Sequence, residues 1–189
     1  IIKKSYIKKK PKIFVVSLGG NDKRKLLIKI LEILKELPKN LKFIFIVSNN
    51  DYNNLANEVL KRKLRFDNLE ILVNPKNFYS LASKADIAIV GGGLTLFEFA
   101  AMGIPTISIP QHKHQVENIK ALINKNITNC PNINMTFKNK DLICCANDLI
   151  KNYSKRLLMH KQGIKFIDGK GLTRITKIFK NITNSYNLV

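Results

Sequence analysis

Two glycine clusters and one lone carboxylate carry the clearest chemical potential in this sequence. Gly91-Gly92-Gly93 follows the apolar run "DIAIV" and precedes a helix-like stretch that holds Glu98, while Gly19-Gly20 follows "KIFVVS". A helix that begins after glycines offers unpaired N–H groups and the positive end of its dipole, which together suit an anion. Two such turns on one edge of a sheet could share a diphosphate. Neither turn holds a complete phosphate fingerprint: "GGNDKRKL" lacks the Lys-Ser/Thr of a Walker loop, and "GGGLTLFE" lacks G-x-G-x-x-G. Taken singly, each turn fits tight packing as well as it fits phosphate; the pair favours phosphate.

Glu98 has two readings. Thr95-Leu96-Phe97-Glu98 matches the S/T-x-x-E capping box, in which the carboxylate would satisfy a backbone N–H. Alternatively it accepts the ribose hydroxyls of a nucleotide whose phosphates lie on the same helix end. The spacing by itself leans to the cap. The histidines add little. His112 and His114 lie in the loop "QHKHQ" with no carboxylate ligand nearby, so a metal is not expected. His160 sits among Lys and Leu on a late helix and reads as structural.

Alternating strands and helices must position these residues. Apolar, β-branched runs at 12–17, 42–48, 69–73, 86–90 and 104–110 predict five strands, and "NITNC" at 126–130 begins a sixth. Between them lie amphipathic stretches, the first being "DKRKLLIKILEILKELP" with apolar residues at 26, 27, 30, 31, 34 and 37. Beyond residue 138 the pattern is purely helical. Strands that read as continuous apolar runs are covered on both faces, and their alternation with helices predicts a doubly wound, Rossmann-like parallel α/β sheet with extra C-terminal helices. Ligands of such sheets bind beyond the carboxyl ends of the strands, where the strand order switches. Both glycine turns lie on that edge.

A chain of 189 residues with 45% hydrophobic content, 9 Gly and 6 Pro is globular and long enough for one well-buried domain. No apolar run approaches the roughly 18 residues that span a bilayer, and "IIKKSYIKKKPKIF" lacks the apolar core of a signal peptide; a cytoplasmic location is the expectation. Cys130 and the adjacent Cys144-Cys145 give neither a disulfide framework nor a zinc spacing, and the pair is expected on or near a core-facing helical stripe. The net charge of +20 would suit nucleic acid, yet only five of the 33 basic residues are arginine and there is no Trp. Lysines spread over solvated faces explain the charge better, so no specific nucleic-acid partner is expected. The same charge favours anionic ligands and peripheral contact with anionic membranes.

The segment "ADIAIVGGGLTLFEFAAMGIPTISIPQHKHQVENIKAL" resembles the carboxyl-terminal nucleotide-sugar-binding domain of GT-B enzymes, the type found in the peptidoglycan GlcNAc transferases. It is nearer still to the UDP-sugar hydrolases of pseudaminic acid biosynthesis and their relatives in surface-polysaccharide and nonulosonic acid pathways. "VSLGGND", "KKSYIKKKPKI" and "DGKGLTRI" point the same way. The resemblance implies that residues 1–11 are an interdomain linker and 12–189 a nucleotide-sugar-binding Rossmann-like domain. It implies a UDP or UDP-sugar ligand, with Gly92, Gly93, Leu94 and Thr95 on the diphosphate and Gly19, Gly20 and Asn21 closing over it. Glu98 then binds ribose, Asn77 and Phe78 meet uracil, and Gln115 and Asn118 face the sugar or the phosphates. No cofactor or metal is implied. In the resembled hydrolases the water-activating His belongs to an amino-terminal Rossmann-like domain, so a partner domain or chain is expected and no catalytic base in this one. His114 is the single candidate to replace that base, although an ordinary exposed loop histidine is the plainer reading.

Overall fold

In the computed structural model, residues 6–20, 22 and 24–186 are described, and side chains up to 183. The apolar runs pair in parallel throughout: β1 (Ile13–Ser17) lies between β2 (Lys42–Val47) and β4 (Ile87–Gly91), with β3 (Leu69–Val73) outside β2. On the other side follow β5 (Thr106–Ile109) and the short β6 (Thr128–Asn129), for the order β3-β2-β1-β4-β5-β6. The order switches between β1 and β4, and the register there sets Ser17 beside Val90. The carboxyl ends of β1 and β4 lead into the two glycine turns, so the crevice that such a sheet leaves at its switch point opens between them.

Period-two alternation divides the strand residues between two cores. Phe14, Val16, Phe43, Phe45, Ile87 and Ile89 face a layer made by α1 (Leu26–Leu34), α2 (Asn49–Lys61) and α6 (Asn139–Lys151). Val15, Ile44, Ala88 and Val90 face the opposite layer of α3 (Phe78–Ala82), α4 (Leu94–Ala101) and α5 (Gln115–Asn124). Residues on both faces are almost wholly out of water, which is why the strand sequences carry no polar alternation. The helix α7 (Tyr153–Phe166) locks onto α4, where a Cβ at Gly163 would lie 2.5 Å from the Ala100 carbonyl oxygen. His160 closes the same contact, its Nδ1 2.8 Å from the Gly103 carbonyl oxygen, as a structural residue.

Within the stretch 1–11 expected as a linker, Lys8 and Lys9 are tied to the domain, as are Lys12 and Ile13 directly after it. Asp86, at the start of β4, accepts from the Lys12 and Ile13 N–H groups at 2.9 and 3.1 Å and from Lys8 Nζ at 3.1 Å. The fully buried Arg156 of α7 donates to the Lys8 and Lys9 carbonyls, each at 2.8 Å, and to the last carbonyls of α6 at Leu149 and Ile150.

Two local expectations are corrected. The first helix begins at Leu26 rather than Asp22, because Lys25 takes a left-handed conformation with φ 53°. Cys145 packs against the core while Cys144 is exposed, so adjacent residues of one helix turn to different sides. At the end of the chain, α8 (Gly171–Tyr186) sets Leu172, Ile175, Phe179 and Ile182 in solvent, with Leu172 78% and Phe179 64% exposed. No helix among the described residues is long and apolar enough to cross a membrane.

Candidate functional site

A cleft of about 320 Å³ opens at the switch point. Ser17, Gly19 and Gly20 form one wall, Ile46, Val47 and Ser48 another, Asn74, Pro75 and Phe78 a third, and Thr95 and Glu98 of α4 complete it. The ends of β1, β2 and β3 and the start of α4 therefore converge on one space, as the parallel arrangement requires.

The glycines divide by role. A Cβ on Gly91 would meet the Leu18 carbonyl oxygen at 2.7 Å, and one on Gly92 would meet Ile119 Cδ1 at 2.7 Å and Gln115 Cβ at 2.9 Å. What approaches these two backbones closely is the protein itself, in the form of the β1 loop and α5. By contrast, Gly19 has φ +94°, and among the described residues, adjacent ones aside, no atom lies within 4 Å of a Cβ placed on it or on Gly20. These two present bare backbone to the cleft.

The anion-site reading separates the two helices. Asp22 accepts from the Leu26 and Leu27 N–H groups through its two carboxylate oxygens at 2.9 and 2.7 Å, so the start of α1 is already neutralised by the chain's own carboxylate. The expectation of a bare helix end after Gly19-Gly20 is corrected accordingly. Helix α4 has Gly93, a residue without a side chain, as its N-cap, and among the described residues no side chain accepts from its first N–H groups. Its first N–H groups and the positive end of its dipole are thus left without a carboxylate partner, and Thr95 in its first turn lines the cleft.

Glu98 is not a cap. The capping box needs Thr95 at the N-cap, yet Thr95 is the second residue of α4, and the Glu98 Oε1 accepts from the Tyr79 hydroxyl at 2.8 Å. That contact holds the Tyr79 phenol above its ordinary pKa, first through the hydrogen bond and then through the charge of the carboxylate. Phe78 packs edge-on against Tyr79 and Phe99, with ring centroids 5.4 and 6.0 Å apart.

Of the residues singled out in the sequence, Gly19, Gly20, Phe78, Thr95 and Glu98 line the cleft together. Gly92 and Gly93 lead into α4, Leu94 points to solvent at 82% exposure, and Asn77 is exposed at the start of α3. Gln115 is buried and accepts from the Gln111 N–H at 2.8 Å, while Asn118 donates to the Gly92 carbonyl at 3.2 Å; both brace the triple-glycine turn. Asn21 lies outside the described residues. The His112 and His114 rings stack at 5.5 Å, exposed and away from the cleft lining. Among the described residues no group of three or more His, Cys, Asp or Glu could hold a metal ion.

Sequence reasoning missed Ser17, Ser48, Asn74, Pro75 and Tyr79. A signal for three of them was present: β1, β2 and β3 each run out into a small polar residue, in "VVS", "IVS" and "LVN". Gln111 was also missed; its Nε2 donates to the Leu18 carbonyl and so ties the end of β5 to the β1 loop.

The chain is 27% identical over 180 residues to the spore coat polysaccharide biosynthesis protein SpsG of Bacillus subtilis, covering 93% of this chain and 52% of that protein. It is 30% identical over 118 residues to the UDP-N-acetylglucosamine--N-acetylmuramyl-(pentapeptide) pyrophosphoryl-undecaprenol N-acetylglucosamine transferase of a Thermoanaerobacter species, covering 59% of this chain and 32% of that one. The crystal structure of Acinetobacter baumannii MurG superposes with a TM-score of 0.72 at 17% identity, over 92% of this chain and 51% of that one. The chain thus spans about half the length of the first of these relatives and a third of the second. The family model of the glycosyltransferase family 28 C-terminal domain matches residues 13–163, which takes in the whole sheet, both glycine turns and Glu98. On that match the chain belongs to the glycosyltransferase family 28 C-terminal domains.

Proposed function

We propose that this chain is the UDP-sugar-binding half of a nucleotide-sugar hydrolase of surface-polysaccharide or nonulosonic acid biosynthesis. The observation that carries the reading is Glu98, a carboxylate released from any capping duty and set in the wall of the switch-point cleft. In this reading the carboxylate accepts the ribose hydroxyls, and the diphosphate lies over the uncapped start of α4 beside Gly19 and Gly20. Phe78, with Asn77 beside it, meets the uracil. Support comes from the family match and from relatives whose names carry polysaccharide biosynthesis and a UDP-sugar substrate.

In the intact enzyme, water attacks the anomeric carbon, the bond from that carbon to the diphosphate oxygen breaks, and UDP departs with its charge stabilised by the α4 N–H groups and dipole. The base that takes the proton from water belongs to an amino-terminal Rossmann-like domain or chain. A second reading keeps the site and replaces water with a sugar acceptor, making a glycosyltransferase half; the family description and the Thermoanaerobacter relative favour it.

Calorimetric titration tests the binding reading. UDP should bind the 189-residue chain weakly and more tightly than CDP, and no UDP-sugar should be turned over by the chain alone. An ordinary turnover rate abolished by His114→Ala would overturn the assignment of the base. Absence of UDP binding at millimolar concentration would overturn the site.

A further inference from the structure

We infer that Asp51 is a positioning residue of the nucleotide cleft, fixing Asp22, and through it the nearby Gly19 and Gly20, without touching the ligand. The inference rests on the binding reading above for its consequence, and on hydrogen-bond geometry for its cause. Helix α2 begins with Ser48-Asn49-Asn50-Asp51, a sequence in which the acid ordinarily turns back to its own N-cap N–H. Here it does something else. Asp51 Oδ2 accepts from the Ser48 hydroxyl at 2.8 Å, and Oδ1 accepts from the backbone N–H of Asp22 at 2.9 Å, 29 residues earlier in the chain.

Asp51 is only 4% exposed. A carboxylate taken out of water is stable only when hydrogen-bonded, so this one holds its donors firmly. Its far donor, Asp22, is itself committed: its carboxylate takes the first N–H groups of α1, and its carbonyl accepts from Lys25 at 3.1 Å. The position of Asp22 is therefore set jointly by α1 and α2. Gly20 lies two residues before Asp22 and Gly19 three, and these glycines have no side chains with which to anchor themselves. Gly19 and Gly20 lie between two tethered residues, Leu18, whose carbonyl accepts from Gln111, and Asp22, whose N–H is held by Asp51. The near donor, Ser48, lines the cleft, so one buried carboxylate orients two of its walls.

The test compares Asp51→Ala with Asp51→Asn by UDP calorimetry, thermal melting and amide hydrogen exchange. Asparagine keeps an oxygen for the Asp22 N–H and should leave UDP affinity within about twofold of the parent. Alanine removes the tether and should weaken UDP about fivefold or more. It should also speed exchange at the Asp22 amide while the amides of 14–16 in β1 stay protected. If the alanine variant does not fold, Asp51→Ser takes its place, being polar but too short to reach Asp22, with the same expected outcome. A folded variant with parental UDP affinity, or with unchanged exchange at Asp22, overturns the inference. If the parent itself fails to bind UDP, the functional reading falls, and the exchange measurement alone decides whether Asp51 holds Asp22.

Discussion

The Tyr79 hydroxyl donates a 2.8 Å hydrogen bond to the Glu98 carboxylate, linking the first turn of α3 to the second turn of α4 beside the cleft that Phe78 and Glu98 line. A helical carboxylate held by a neighbouring helix is pre-aimed: its rotamer is set before any ligand arrives. Carboxylate oxygens each offer two acceptor sites, so the tyrosine leaves capacity for a ribose diol.

Glu98→Gln should weaken UDP binding about tenfold or more, corresponding to a charge-assisted hydrogen bond of about 1.5–3 kcal/mol. Since Glu98 caps nothing, both Glu98→Gln and Glu98→Ala should melt within about 0.5 kcal/mol of the parent. Calorimetry beside thermal melts reads both quantities. A fall in stability of about 1 kcal/mol in the alanine variant would restore the capping role.

Tyr79→Phe keeps the ring against Phe78 and removes the hydroxyl, so UDP affinity should fall a little, about two- to fivefold. The phenol provides a separate readout. The hydrogen bond and negative charge of Glu98 both disfavour phenolate, so Tyr79 ionises above the ordinary range. In Glu98→Ala its ultraviolet titration should move down to that range; an unmoved titration would show that the two side chains do not meet in solution.

Gly92→Ala and Gly20→Ala should part company. The first forces a methyl to within 2.7 Å of Ile119 and 2.9 Å of Gln115, and overpacking of this kind costs about 1–3 kcal/mol. The second meets nothing within 4 Å and should leave the melting temperature nearly unchanged while weakening UDP. Equal melting of the two variants would contradict the division of the glycines into packing and ligand roles.

Cysteine chemistry separates adjacent residues. Burial pushes the Cys130 thiol up to about 11 and Cys145 to about 12, whereas Cys144 is exposed. At pH 8 the first two stay protonated, and the thiolate is the reacting form. A thiol reagent should modify Cys144 first, with Cys130 and Cys145 following only on unfolding. Fast reaction of all three in the native protein would count against the packing around α6.

The fold class was legible from the chain alone because periodicity is a local property. A strand buried on both faces must be apolar throughout, as "KIFVVS" and "KFIFIVS" are, and a helix covering it must carry an apolar stripe, as 26–34 does. Glu98 and the two glycine turns stood out in the sequence, yet their spacing leaned Glu98 to a cap and left each turn divided between packing and phosphate, because local spacing does not say what lies opposite. The tertiary structure decided which neighbours those residues acquired. Glu98 belongs to Tyr79 rather than to its own helix end, Gly91 and Gly92 are glycines to admit Leu18 and α5, and Asp22 closes α1 while Asp51 reaches back 29 residues to hold it. Each of these depends on the crossovers that bring β1 beside β4 and the start of α2 beside the β1 loop. A hydrogen bond between groups so distant in sequence leaves no period and no spacing by which it could be read.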